Sequence, residues 1–359
     1  MKRWTFYVLL IFLIPACKQI RPLLQNTVRG KYESGFSKKD SLFKVWKASH
    51  ERAMATPLQV DIPYIASIQI KHADASALVY TVSVKRGEQL IAEIKKPADS
   101  SRFILEFFNG DPAASKTLLA ELAEKAGSAY WTAQDDDSVR ISLQPGVNDS
   151  GIFHFKIYKQ PSYQFPVAGK NNTAIQSFWG ANRDGGARLH EGIDIFAPRG
   201  TPIAAVADGR IGFAGDRGLG GKQVWLRENL AGFNVYYAHL DSFIVNSGDA
   251  VKRGDTLGFV GNTGNAAGGA PHLHFGIYGN DGAVDPLAFI KELPVPADRA
   301  FTIDPQAKLS RSGPLRKGPG TKYPPLMQLN KNEPLKFQAR SDNWLHVTVR
   351  DSVAGFVPK

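Results

Sequence analysis

The sequence predicts a mainly β fold on three observations. Its 359 residues include Gly 34 and Pro 22, a turn-rich composition that helical chains do not show. Between the turns lie short runs such as "YIASIQIKH", "ALVYTVSVKRG", "LIAEIKK", "RFILEFFNG", "DSVRISLQPG" and "GIFHFKIYKQ". Each is rich in β-branched and aromatic residues and is closed by glycine, proline or charge, as half-buried strands are. Helical patterning is confined to "SLFKVWKASHERAMA" and to "SKTLLAELAEKAG", and the second also reads as strand and loop in a β context. With 43% hydrophobic and 11% aromatic residues the chain can bury real cores, which excludes global disorder and sets two or three domains.

The first element, residues 1–17, reads as an export signal. Lys2 and Arg3 precede an apolar run from Trp4 to Ala16, too short for the roughly 20 residues of a spanning helix. The single cysteine, Cys17, follows directly, and the arrangement resembles a bacterial lipobox, although Ile14-Pro15-Ala16 departs from the usual Leu-small-small pattern. Cys17 is then the acylated mature N-terminus and the lipid anchor, on the outer side of a membrane. The absence of any other cysteine suits an oxidising compartment. Residues 18–36 read as a polar tether and 37–162 as a β-sandwich-like domain carrying the one clear helix. His50, His72 and His154 have no clustered partners in this stretch and read as structural.

Prolines, glycine and asparagines in "QPSYQFPVAGKNN" mark a boundary. Residues 163–292 then form a second, glycine-punctuated β domain, containing "TPIAAVADGRIGFAG", "KQVWLRENLAGFNVYYAHL" and "DAVKRGDTLGFVG". Residues 293–302 make a proline-bearing linker, and 303–359 a last small β unit. Its core is expected to be separate from that of the middle domain, which should fold without it.

The middle domain concentrates the chemistry. In "GGAPHLHFGIY" a strand would turn His272, His274 and Gly276 to one face and Leu273, Phe275 and Ile277 to the other. Two imidazoles sharing one face can be a metal site, an acid/base pair or an accident of a solvated strand. "RLHEGIDIFAPRGTP" adds His190 and Asp194, and "YYAHL" adds His239, so four of eight histidines fall in this domain. His190 and Asp194 can reach one point whether the segment is helix or strand, and Gly192 and Pro198 favour a loop entering a strand. Two histidines and a carboxylate would leave a zinc ion one open position, the arrangement of catalytic sites. Such an ion draws the pKa of water toward about 7 and so supplies hydroxide near neutrality. Histidines left over can handle protons, worth about 10²–10⁴ in rate.

His-x-x-x-Asp, then Tyr-x-His-Leu, "GDAVKRGDTLGFVGNTG" and His-x-His, in that order, resemble the lysostaphin-like (LytM-type) zinc endopeptidases of peptidoglycan. The resemblance runs from "SFWGANRDGGARLHEGID" to "VDPLAFI". It implies an antiparallel β zinc-peptidase domain with one Zn2+ held by His190, Asp194 and His274 in a groove, and His239 and His272 as the catalytic, non-ligand histidines. All five positions match, which sets the chain apart from degenerate, metal-free members. The longer "GNAAGGA" before His272 is a departure that would reshape one groove wall.

The last unit, with Arg316, Gly318-Pro319-Gly320, Trp344 and Gly355-Phe356-Val357, resembles bacterial SH3-type domains of cell-wall enzymes. This implies a small SH3-like barrel that binds wall peptide, with His346 structural. A net charge of +11 calls for an anionic partner or surface. The basic residues are scattered and form no nucleic-acid motif, so the expected partners are peptidoglycan peptides and, through Cys17, the membrane. The function expected is zinc-dependent hydrolysis of peptide cross-links in the periplasm or cell envelope, a direct D-Ala to diaminopimelate link being favoured over a glycine bridge. Two alternatives use the same residues: a non-catalytic envelope protein that binds wall or activates an amidase, and a sugar phosphocarrier, which export would separate from its cytoplasmic phosphate donor.

Overall fold

A computed structural model describes residues 26–71, 76–98, 100–111, 113, 116–123, 126–303, 309, 311–350 and 352–359. The export signal, Cys17 and His72 lie outside the described residues. The fold is mainly β, as the turn-rich composition predicts.

The alternating runs after residue 57 build a sandwich of two antiparallel-rich sheets. One sheet orders the strands Leu58–Gln59, Leu78–Val84, Asp137–Pro145, Phe103–Asn109 and Leu118–Glu121. The other places Tyr64–Ile70, Gly151–Pro161, Glu88–Lys95 and Ser128–Thr132 side by side. Alternation does the work expected of it: Phe153, Phe155 and Ile157 are buried while Ile152, His154 and Lys156 are not. Tyr80, Leu90, Phe107, Ile141 and Phe153 from the two sheets share one core. Within "SKTLLAELAEKAG", Leu118–Glu121 is an edge strand on Phe103–Asn109; a sheet edge in need of a partner outweighs helix propensity there.

"SLFKVWKASHERAMA" is the helix Ser41–Ala55, capped by Asp40, whose carboxylate accepts from the Phe43 amide at 3.0 Å. It buries Phe43, Trp46, His50 and Met54, one face at helical spacing. Where the sequence reads as tether, the described part of 18–36 holds a further helix, Val28–Ser34. It docks through Arg29, whose guanidinium lies over Trp46, contacts buried Glu106 at 2.7 Å and donates to Gln144 Oε1 at 2.9 Å. An arginine in a polar stretch reads as solvated; a buried carboxylate elsewhere in the chain makes this one internal.

The C-terminal strands Pro325–Leu329, Gly313–Arg316, Val353–Pro358, Trp344–Val349 and Leu335–Ser341 have a small core of their own around Leu315, Leu329 and Val347. They are not a closed, free-standing barrel. Ser67 pairs with Arg340 and Ile68 with Ala339, so the five strands continue the sandwich as one nine-stranded sheet. Ala339 and Phe356 enter the sandwich core, and the Tyr80 hydroxyl lies 2.9 Å from His346 Nδ1. The linker is fastened along the same sheet: Gln160 donates to Leu293 O at 3.0 Å, Lys156 meets Asp298 at 3.0 Å, and the Phe301 amide donates to Ser67 Oγ at 2.9 Å. The middle domain is thereby inserted between two parts of one β body.

That middle domain has its own core, in which Ile193, Val224, Tyr237, Leu257, Phe275 and Phe289 are buried. Its main sheet sets Ile175–Ser177, Ile193–Phe196, His272–Gly279, Asn234–Ala238, Lys222–Glu228, Gly209–Asp216 and Ala250–Val251 in that order. A three-stranded sheet, Pro202–Ala204, Thr256–Val260 and Leu240–Phe243, completes the layer pair.

Candidate metal centre

The period of two holds along "HLHFGI". Leu273, Phe275 and Ile277 are fully buried in the core, and His272 and His274 both line a groove of about 560 Å3 on the other face. Neighbouring strands finish the arrangement. Asp194 stands directly opposite His274 on one side and Ala238 on the other. The small Ala238 leaves space beside the imidazole. His190 comes from the loop before Ile193–Phe196 and is fixed by its amide, which donates to Ala181 O at 2.8 Å. Gly192 lies between the two ligand candidates because nothing larger fits: a Cβ there would stand 2.6 Å from Phe275 O and 2.7 Å from His274 Cε1.

The resulting geometry is convergent. His190 Nε2 is 3.0 Å from Asp194 Oδ1, His274 Nδ1 is 3.1 Å from the same oxygen, and the two nitrogens are 3.0 Å apart. One donor atom from each of His190, Asp194 and His274 therefore lies within 4.8 Å of the others. Tetrahedral zinc with bonds near 2.0–2.2 Å needs donors about 3.3 Å apart, so this set fits such an ion with minimal adjustment.

Hydrogen bonds assign the protons. A backbone carbonyl can only accept, so His190 Nδ1, 3.0 Å from Phe178 O, must donate, leaving Nε2 bare toward the cluster. The same logic gives His239 a donating Nδ1 on Thr263 O at 2.9 Å and His272 a donating Nδ1 on Ala270 O at 2.9 Å. Each keeps a bare Nε2. The His239 and His272 rings are 5.1 Å apart, and His239 lies 5.9 Å from His274. His239 sits at φ 63°, a left-handed backbone that is uncommon without glycine, and its amide is held by Gly220 O at 2.9 Å.

Electrostatics follow from burial and proximity. Burial pushes His239 down to about 4, and the neighbouring His274 and His272 push the same way. Burial also lowers His274, against the pull of Asp194. For Asp194 burial acts upward, but the neighbouring His190 and His274 imidazoles prevail and hold its carboxyl well below the usual carboxylate range.

All five groove positions named from the sequence are thus brought together, and His50, His154 and His346 stay apart from them in the other β body. Sequence reasoning passed over Arg183, which donates to Asp194 Oδ2 at 2.7 Å, and over Tyr236, whose ring is 5.7 Å from His274. Neither carries a local signal: Arg183 arrives by a hairpin, Asn182–Arg183 against Arg188–Leu189. The "GNAAGGA" loop does form groove wall, through Asn265 and Ala266.

The five groove residues fall within a segment that matches a known family. Residues 188–286 match Peptidase family M23, and residues 311–359 match the bacterial SH3 domain. The DD-carboxypeptidase/endopeptidase Mpg of Neisseria meningitidis is 33% identical over 225 residues, 57% of this chain and 47% of that protein. The L-Ala--D-Glu endopeptidase of Bacillus subtilis is 31% identical over 170 residues, 42% of this chain and 52% of that protein. The chain thus spans about half the length of these curated relatives. The solved catalytic domain of lysostaphin from Staphylococcus simulans is 37% identical, with 32% of this chain and 89% of that chain covered at a TM-score of 0.29. Through residues 188–286 the chain belongs to peptidase family M23, the lysostaphin-like metallopeptidases, and it carries a bacterial SH3 domain at residues 311–359.

Proposed function

We propose that this chain is a zinc-dependent endopeptidase that hydrolyses peptide cross-links of bacterial peptidoglycan. The observation that carries the reading is the convergence of His190 Nε2, Asp194 Oδ1 and His274 Nδ1 on one point of an open groove. Those three residues would hold the ion. When bound, zinc polarises a carbonyl and makes water a nucleophile near neutrality.

The remaining work falls to the protein. His239, kept neutral by burial down to about pH 4, presents a bare Nε2 to the groove and can take a proton from the attacking water. The proton that His239 takes can pass back to the leaving amine, and His272, whose Nε2 lies beside it, can relay that proton or, once protonated, donate to the oxygen of the tetrahedral intermediate. The ring of Phe196, stacked 5.0 Å from His272, holds that imidazole in place.

The relatives named above act on different peptide bonds, and that supports the class of substrate and leaves the bond open. The basic balance of the chain, +11, suits wall peptides, which carry carboxylates. Export and a lipid anchor at Cys17 complete the proposal, placing the enzyme in the cell envelope.

Elemental analysis of the purified chain together with a digest of cross-linked muropeptides tests the reading. One zinc per chain and the appearance of uncross-linked peptides are expected. Zinc without cleavage across muropeptides of all cross-link types would leave a wall-binding or amidase-activating protein instead.

A further inference from the structure

Arg183 is unclaimed by the reading above, yet it touches a proposed ligand. Its Nη2 donates to Asp194 Oδ2 at 2.7 Å and to Ser177 Oγ at 2.6 Å. Ser177 is itself the strand partner of Asp194, and its hydroxyl is 3.4 Å from His190 Nδ1. One guanidinium nitrogen therefore bridges the carboxylate and the hydroxyl of the strand beside it.

The two oxygens of Asp194 are divided cleanly. Oδ1 faces His190 Nε2 and His274 Nδ1 at 3.0 and 3.1 Å, and Oδ2 faces Arg183. A carboxylate with both oxygens free can swing to chelate an ion through both. With Oδ2 occupied by a charge-assisted hydrogen bond, the group can offer one oxygen, and the coordination position that a second would take stays open. The hairpin is built to deliver this: Gly185 and Gly186, at φ +68° and +98°, turn it in conformations that side-chained residues rarely adopt. Both bonds leave from the single Nη2, so a lysine ammonium that reached the same point could restore part of the bridge.

We propose that Arg183 is the positioning residue of the metal centre: by holding Oδ2 it makes Asp194 a one-oxygen ligand, fixes the carboxylate toward His190 and His274, and so sets metal affinity. The proposal rests on the ligand assignment given under Proposed function.

The test measures metal binding and not turnover. Zinc affinity of the full chain is determined by competition with a chromophoric chelator for wild type, Arg183→Met and Arg183→Lys, and the visible absorption of the cobalt-substituted forms is recorded. Loss of an outer hydrogen bond to a ligand costs about 10- to 100-fold in metal affinity, which is the fall expected for Arg183→Met. Arg183→Lys should recover part of it. The cobalt bands of Arg183→Met should weaken, as a second carboxylate oxygen raises the coordination number. If both variants bind zinc within about twofold of wild type with unchanged cobalt spectra, Arg183 does not position Asp194. A raised KM in Arg183→Met with intact metal affinity would likewise overturn the proposal, making Arg183 a substrate contact. A wild-type chain that binds no zinc would instead remove the ligand assignment beneath it.

Discussion

Asp194 and His274 stand face to face in adjacent antiparallel strands, Oδ1 3.1 Å from Nδ1, so two residues eighty positions apart are held by backbone register and not by a flexible loop. A site built on a sheet has little freedom to rearrange when one donor is removed. His190→Ala, Asp194→Ala and His274→Ala should each lose zinc and hydrolysis together. His272→Ala should keep the metal and lose about two to four decades of rate, because a proton-handling group goes while the donors remain. Zinc content and muropeptide turnover measured on the same samples check both; metal loss in the His272 variant would reverse the roles within "HLH".

Acid should destabilise the chain through histidines far from the groove. Burial keeps His346 neutral down to about 3, and burial with the Arg29 cation beside it lowers His50 similarly. A free imidazole takes its proton near 6.5. Below that value the unfolded chain binds more protons than the folded one, so stability falls as pH drops from about 6.5 toward about 3. Urea midpoints should decline through this window and decline less in His346→Gln. A midpoint constant across the window would contradict buried, neutral histidines.

Removal of the last unit should have a selective effect. Deleting residues 303–359 strips Ala339 and Phe356 from the sandwich core and bares the Ile68 strand edge, whereas the core of the middle domain is drawn from residues 163–290. The truncated chain is expected to show early proteolysis in the sandwich and a protected fragment covering residues 163–292. It should bind sacculi more weakly and still cleave small cross-linked peptides. Cleavage of both domains at equal rates would mean that the middle domain depends on the composite sheet.

Cys17→Ser should release the protein from the membrane fraction or block its maturation, as expected for an acylated N-terminus. Mass spectrometry of the mature chain reads the outcome, and an N-terminus elsewhere without acyl groups would reduce anchoring to plain export.

Ordered motifs made the groove legible from the sequence: period two put His272 and His274 on one face, and His190, Asp194 and His239 followed in recognisable spacing. Strand alternation likewise marked the sandwich, because burial of one sheet face leaves its signature every second residue. What tertiary structure alone decided are contacts between distant segments. The pairing of Ile68 with Ala339, the docking of Arg29 on Glu106 and the reach of Arg183 to Asp194 all join groups with no local pattern. An edge strand shows which residues can pair but not with whom, and a charged side chain reads as solvated until a buried partner compensates its desolvation. Local periodicity therefore marked most of the strands and the face shared by His272 and His274, and the resemblance to lysostaphin-like endopeptidases joined His190, Asp194 and His239 to them, while long-range pairing decided that the first and last β units are one body and that Arg183 reaches Asp194.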